Sequence, residues 1–176
     1  MSKTLVTILN HNLPEYTDEL YKSLQPYSGE TYDIMVLDNG SDTEGKSQYT
    51  THETGQNTYF GGAMNVVFDY ILENKEYDSL LYLSNDVILH GYDFVNSLRK
   101  ELFDNDYTIV SPCIFQPTHD QGFWKQMHNW TSKSIRPVKW VDFMSPLIDR
   151  KLIEEVKQID MELVYGWGID MYFGLL

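Results

Sequence analysis

The sequence predicts an α/β domain with a central, mostly parallel sheet and helices on both faces, and three runs carry that expectation. Thr4–Asn10 (TLVTILN), Tyr32–Leu37 (YDIMVL) and the first half of Ser79–Leu89 (SLLYLSNDVIL) are short continuous apolar stretches, the pattern of strands covered on both faces. Each passes directly into amides and carboxylates: Asn10-His11-Asn12, Asp38-Asn39-Gly40 and Ser84-Asn85-Asp86. Ligands of open parallel sheets bind at the strands' carboxyl ends, where the crossover helices leave the tips accessible.

The connecting segments follow in order. Pro14 opens a helix with Tyr16, Leu20 and Leu24 on one face. Lys46–Gly55 is polar, with at most a short strand near Tyr49–Thr51. A Gly61-Gly62 pair then stands directly before an amphipathic helix carrying Met64, Val67, Phe68, Ile71 and Leu72. Such a pair admits a close ligand and leaves helix-start N–H groups free, although Gly-Gly is also the plainest loop breaker. Tyr92–Leu102 reads as a helix and Tyr107–Ser111 as a strand. Gln116–Pro137 loses periodicity and forms an irregular excursion, whose His119 and His128 read as surface or packed residues rather than ligands. Val138–Phe143 alternates like a strand, and Asp149–Ile159 makes a helix with Leu152, Ile153 and Val156 inward.

The bulk numbers bound the partners. A chain of 176 residues forms one domain, and its formal charge of -13 repels nucleic acid and anionic membrane. The single cysteine, Cys113, excludes an internal disulfide, and no apolar run reaches the roughly 18 residues of a membrane span. A soluble, cytoplasmic protein is the expectation. An anionic ligand would need a local device such as a metal ion.

The stretches TLVTILNHNLPEYTDELYKSL, IMVLDNGSD, NTYFGGAMN, LLYLSNDVIL and WVDFMSPLIDRKLIEEV…GWGID occur in the order seen in the family 2-like glycosyltransferases of GT-A fold, which the chain resembles over nearly its whole length. The resemblance implies a nucleotide-diphospho-sugar transferase fold, a nucleotide-sugar donor with UDP-sugars foremost, a divalent Mn²⁺ or Mg²⁺, a glycan or other hydroxyl acceptor, and displacement with inversion. By the same token Asn10, Asn12, Asp38, Asn57, Gly61, Gly62, Asn65 and Asn85 match donor-nucleotide positions. Asp86 matches the last acid of the metal motif, with Ser84 replacing the first, and Asp170 matches the catalytic base, with Ile169 where an acid pair is more usual. Gly166-Trp167-Gly168 looks like the GWG motif of galactosyl- and N-acetylgalactosaminyl-transferases, placing Trp167 and Gly168 at the sugar or acceptor site.

Without that context Asp86 reads as a solvated loop acid, Asp38-Asn39-Gly40 equally as a plain turn, and Trp167 as a core aromatic. The chain stops six residues after Asp170, where the family usually continues, so a trimmed chain is one expectation. Two other functions stay open. One is a non-catalytic nucleotide-sugar or glycan-binding domain. The other is a sugar nucleotidyltransferase, against which Asn10-His11-Asn12-Leu13-Pro14 lacks the Gly-rich, basic loop that holds a triphosphate.

Overall fold

Continuous apolar runs can be strands only if both faces are covered, and that is how they are used. The computed structural model describes residues 2–90, 93–113 and 135–176. Strands β1 (Lys3–Asn10), β2 (Tyr32–Asp38), β3 (His52–Glu53), β4 (Tyr77–Leu83), β5 (Ile109–Val110) and β6 (Leu147–Asp149) form one sheet in the order β3-β2-β1-β4-β6-β5. β1 pairs in parallel with both β2 and β4, β3 is parallel to β2, and β6 is antiparallel to β4 and β5. The parallel register aligns Asn10 with Asp38, so two of the polar tips end side by side.

Because side chains alternate across a strand, the sheet feeds two cores. Leu5, Met35, Leu37, Leu80 and Ile148 pack under helices α2 (Tyr59–Glu73), α4 (Arg150–Val156) and α5 (Ile169–Leu175). Val6, Ile8, Val36, Leu81 and Leu147 pack under α1 (Pro14–Leu24) and α3 (Phe94–Asp104). Among the described residues no helix is long and apolar enough to cross a membrane.

Several expected boundaries move. Val138–Phe143 is not a strand; the paired segment is Leu147–Asp149, whose Leu147 and Ile148 are fully buried against Leu80 and Leu81. Residues 138–143 instead run beside α5, close enough that a Cβ on Gly174 would overlap Lys139 and Trp140. The strand expected near Tyr49–Thr51 lies at His52–Glu53, where it meets Leu37 and Asp38. Helix α3 starts at Phe94 rather than Tyr92, and Gly91 and Tyr92 lie outside the described residues. So does most of the excursion, residues 116–134, with His119, Trp124, His128 and Trp130. Helix α4 stops at Val156 rather than Ile159, because Lys157 takes a positive φ of 61°.

One cation ties α2 to α4. Arg150 donates through its two terminal guanidinium nitrogens to the carbonyls of Ile71, Leu72, Asn74 and Tyr77, at 2.7 to 3.0 Å. These include the last carbonyls of α2, which have no partner within the helix and sit at its negative end. Thr7 is the opposite case: its hydroxyl is buried with no hydrogen-bond partner among the described residues. Arg150→Met should therefore cost about 2–3 kcal/mol, the worth of charge-assisted hydrogen bonds to otherwise orphaned carbonyls. Thr7→Val should leave stability unchanged or raise it. Urea unfolding of the two variants checks both expectations, and a loss in Thr7→Val as large as that in Arg150→Met contradicts the assignment.

Candidate functional site

The strand tips are locked together by one buried amide. Asn10, fully buried at the end of β1, donates through Nδ2 to Asp38 Oδ2 at 2.9 Å, Gly45 O at 2.8 Å and Ser41 Oγ at 3.2 Å. Its Oδ1 accepts the Thr17 hydroxyl at 3.0 Å, and Thr17 in turn accepts from Asn85 Nδ2 at 3.1 Å. Asp38 and Asn10 at the ends of β2 and β1, and Asn85 in the turn after β4, are three expected donor residues that thus belong to one network. Thr17, which the helical spacing did not single out, is its junction; it is buried on α1 while the expected Tyr16 faces outward.

Asp38 is 1% exposed, and its other oxygen accepts the Ser41 N–H at 3.0 Å. Burial alone pushes this carboxyl up, yet the Ser41 hydroxyl, the Asn10 amide, the Ser41 N–H and nearby Lys46 together hold it below its ordinary 3.8.

The exposed edge of this network is made by other residues. Asn12, at a positive φ of 55°, accepts the Asp42 N–H at 3.0 Å and donates its own N–H to Ser41 Oγ at 2.8 Å. Asn57 Oδ1 accepts the Tyr59 N–H at 2.8 Å, which orients its amide so that Nδ2 donates to His11 Nε2 at 3.1 Å. His11 therefore carries its proton on Nδ1 and donates it to the Asn39 carbonyl at 3.0 Å. Asn39, nearly buried, accepts from the Thr58 N–H and hydroxyl and donates to Tyr59 O. Gly40, at φ 74°, is required here because a Cβ would overlap the backbone of Gln56 and Asn57. His11 and Asn39 were visible in sequence only as turn residues. Their pairing with Asn57 needed the parallel register.

Gly61 and Gly62 do not precede a helix with free N–H groups. They lie within the first turn of α2, which begins at Tyr59, and the Gly61 N–H donates to Val164 O at 2.7 Å. A Cβ on Gly61 would sit 3.0 Å from Val164 Cα, so the residue's lack of a side chain serves helix-to-chain packing. Asn65 holds the same C-terminal segment: its amide donates to Ile159 O at 2.9 Å and accepts the Ile159 N–H at 2.7 Å.

That segment walls a cavity of about 450 Å³ beyond the carboxyl end of β4. Asp170, in the first turn of α5, lines it together with Trp167, Gly168, Tyr82 and Asp142. Trp167 is 85% exposed, so it is not the core aromatic that its composition alone suggests. Gly166 and Gly168 flank it at φ 91° and 84°, backbone that turns the indole outward. The Tyr82 hydroxyl is pushed up by burial and further by the charge of Asp86, which brings that carboxylate within electrostatic reach of the cavity. Asp86 itself is exposed in the turn after β4, and Ser84 is tied back by its N–H to Met144 O at 2.8 Å.

Among the described residues no three His, Cys, Asp or Glu come together as metal ligands. A lone exposed carboxylate does not make a protein cage for a cation. It does fit Mn²⁺ or Mg²⁺ of the kind that takes one protein carboxylate, substrate phosphates and waters.

Neither a family model nor a curated protein sequence matches the chain. Solved structures do. A Pyrobaculum calidifontis mannosyltransferase in complex with GDP-Man and Mn²⁺ matches with a TM-score of 0.65 at 13% identity, over 91% of this chain and 48% of that one. The fold is of the GT-A type. S. aureus TarS 1–349 in complex with UDP matches at 0.67 with 13% identity, over 98% of this chain and 54% of that one. Its UDP-GlcNAc complex matches at 0.59 with 11% identity, over 87% and 47%. The chain spans about half the length of these structures, and at such identities the GT-A likeness speaks for the fold.

Asp78, like Asp38, is held low: burial raises it, but Arg99 at 2.6 and 2.8 Å lowers it further. A carboxylate whose folded pKa is depressed stabilises the fold above its unfolded value, and that share is lost as pH falls from about 4 through the folded value. Urea midpoints should drop between about pH 5 and about pH 2. Asp38→Asn should lower the midpoint at neutral pH and flatten the acid drop; an equally steep drop in that variant contradicts the ionised, hydrogen-bonded Asp38.

Proposed function

We propose that the chain is a glycosyltransferase domain that moves a sugar from a nucleoside-diphosphate donor to a hydroxyl acceptor with inversion. The observation that carries this is the lining of one cavity by Asp170, Trp167 and Gly168, beyond the β4 tip from which Asp86 extends, in a GT-A fold. The donor complexes of the mannosyltransferase and TarS support a nucleotide sugar, with UDP the first nucleotide to try.

In this reading His11, Asn12 and Asn57 face the nucleoside, while Asn10, Asp38 and Asn85 hold the three strand tips in register behind them. Gly61, Gly62 and Asn65 act at one remove by seating the segment that bears Trp167 and Asp170. Asp86 holds the cation, which when bound offsets charge on the departing diphosphate. Asp170 takes the proton of the acceptor hydroxyl as that oxygen attacks the anomeric carbon; the C–O bond to the diphosphate breaks and its electron pair leaves with the diphosphate. Trp167 presents its ring to a sugar.

Thermal unfolding with nucleoside diphosphates, with and without Mn²⁺, tests the donor half. A ligand at 100 times its Kd adds about 2.7 kcal/mol, a shift of about 5–10 °C for a domain of this size. UDP should produce it with metal, and Asp86→Asn should remove the metal requirement along with most of the shift. Asp170→Asn should keep the shift and lose about 10²–10⁴-fold in transfer rate. UDP binding without turnover in the unmodified chain would favour the binding-domain alternative, which Ser84 in place of an acid supports. Full transfer by Asp170→Asn removes the base from Asp170.

A further inference from the structure

Three aromatic side chains stand in the open where the cavity of Asp170 meets the surface, and the mechanism above uses only one of them. Trp167 is 85% exposed, Tyr165 65% and Tyr59 47%. Trp167 and Tyr165 line the cavity; Tyr59 does not, but its ring meets that of Tyr165 at a centroid distance of 4.7 Å and an interplanar angle of 65°. The aromatic surface thus continues past the cavity by one ring. The backbone holds both rings in place. Tyr59 keeps a φ of 57°, which Asn or Gly adopts more readily than a bulky side chain, under the hydrogen bonds of its N–H to Asn57 and its carbonyl to Asn39. Tyr165 is followed by Gly166 at φ 91°, where a Cβ would come 3.1 Å from the Phe60 ring. A ring as exposed as that of Tyr59 adds little to the core, so the strain at this position points to a use outside the fold.

We propose that the Tyr59–Tyr165 pair is a second sugar subsite, and that the acceptor is an oligosaccharide: its reacting unit sits in the cavity beside Trp167 and Asp170, and its next unit lies on the paired tyrosines. The inference rests on the transferase reading. A pyranose presents a flat face of C–H groups, which an aromatic ring covers by apolar contact while the sugar hydroxyls stay in water. An edge-to-face pair uses at most one of its ring faces for itself, and the exposure of both tyrosines leaves the others within reach of a ligand. Apolar groups exposed singly need no explanation, whereas aromatic rings continuous with a cavity mark a binding surface. Tyr165 supplies that continuity, because it belongs both to the cavity wall and to the pair. A nucleobase would suit the same ring faces, but the pair joins the cavity at the side of Asp170, where the reacting hydroxyl arrives.

Saturation-transfer NMR titrations on the full chain, with UDP and Mg²⁺ present, test this with methyl glycosides of glucose, galactose and N-acetylglucosamine, each as a single unit and as its β-linked dimer. In any series that binds, the dimer should bind about tenfold more tightly than the single unit, from the added ring contact. That gain should not change with salt, because the contact is apolar. Tyr59→Asn, which suits the positive φ, should bring the dimer within about threefold of the single unit, while Tyr59→Phe should keep the gain. Equal affinity for dimer and single unit, binding of no saccharide, or an undiminished gain in a folded Tyr59→Asn variant each overturns the proposal. If Tyr59→Asn does not fold, Tyr165→Ala carries the same comparison. The UDP-dependent midpoint shift on the same samples reports the donor site separately. A chain that shifts with UDP yet shows no dimer gain loses this inference alone. A Tyr59→Asn variant that loses the UDP shift while keeping the dimer gain assigns the ring to the nucleoside and likewise overturns the proposal.

Discussion

The hydrogen bonds of Asn10 are the constraint on which the candidate site depends. A buried amide left unpaired costs about 1–3 kcal/mol, and a buried carboxylate left unpaired costs more, so Asn10 and Asp38 are stable at the strand tips only together. Their pairing requires β1 and β2 to be parallel and in the register that sets Asn10 beside Asp38. The same amide reaches Gly45 and, through Thr17, Asn85 beyond β4. A slip of one residue in either strand would turn these groups to the other face. The polar network thus works as a register lock, and the exposed residues His11, Asn12 and Asn57 take their positions from it.

A second constraint joins the two halves of the site. Tyr59 sits at a positive φ of 57°, rare for a bulky side chain, and it persists because Asn57 and Asn39 hold its N–H and carbonyl. The ring then rests against Tyr165, and two residues later the Gly61 N–H meets Val164. Close approach of the α2 backbone to residues 163–166 is what Gly61 permits. The strand-tip network and the cavity therefore share one short piece of chain, from Asn57 to Gly61.

How much of this was legible follows from the physics of each element. β1, β2 and β4 were, because strands buried on both faces write themselves as unbroken apolar runs. β6 was not, since three residues, Leu147–Asp149, carry too little pattern to compete with the alternation of VKWVDF. The onset of α2 was misplaced because two glycines look like an interruption, whereas here they admit Val164. Asn10 and Asp38 were legible as polar tips, but not as a mutually satisfied buried pair. Thr17, His11 and Asn39 were missed as a group because their partners lie 7 to 68 residues away in sequence, joined only by the parallel crossovers. Asp142 stood in what looked like a strand, and nothing in its neighbours marked it as facing Asp170's cavity.

The electrostatics bear on how such a site could hold a diphosphate at all. The chain has a formal charge of -13, and several of its cations are committed to the scaffold: Lys3 to Asp33, Lys46 to Glu53, Arg99 to Asp78, and Arg150 to Glu154 and the end of α2. Arg99 and Arg150 sit where moving them would strand a half-buried carboxylate or orphaned carbonyls, so they are committed to the scaffold. Lys46 already offsets part of the charge of Asp38. Asp86 is exposed, forms no ion pair among the described residues, and adds its charge to the burial that pushes the Tyr82 hydroxyl up. A carboxylate in that state would repel a diphosphate and attract a divalent cation, whose two positive charges reverse the local sign. Under the proposed transferase reading, the acidity of the chain and the exposure of Asp86 point the same way, toward a donor that would enter with its metal rather than onto a basic patch.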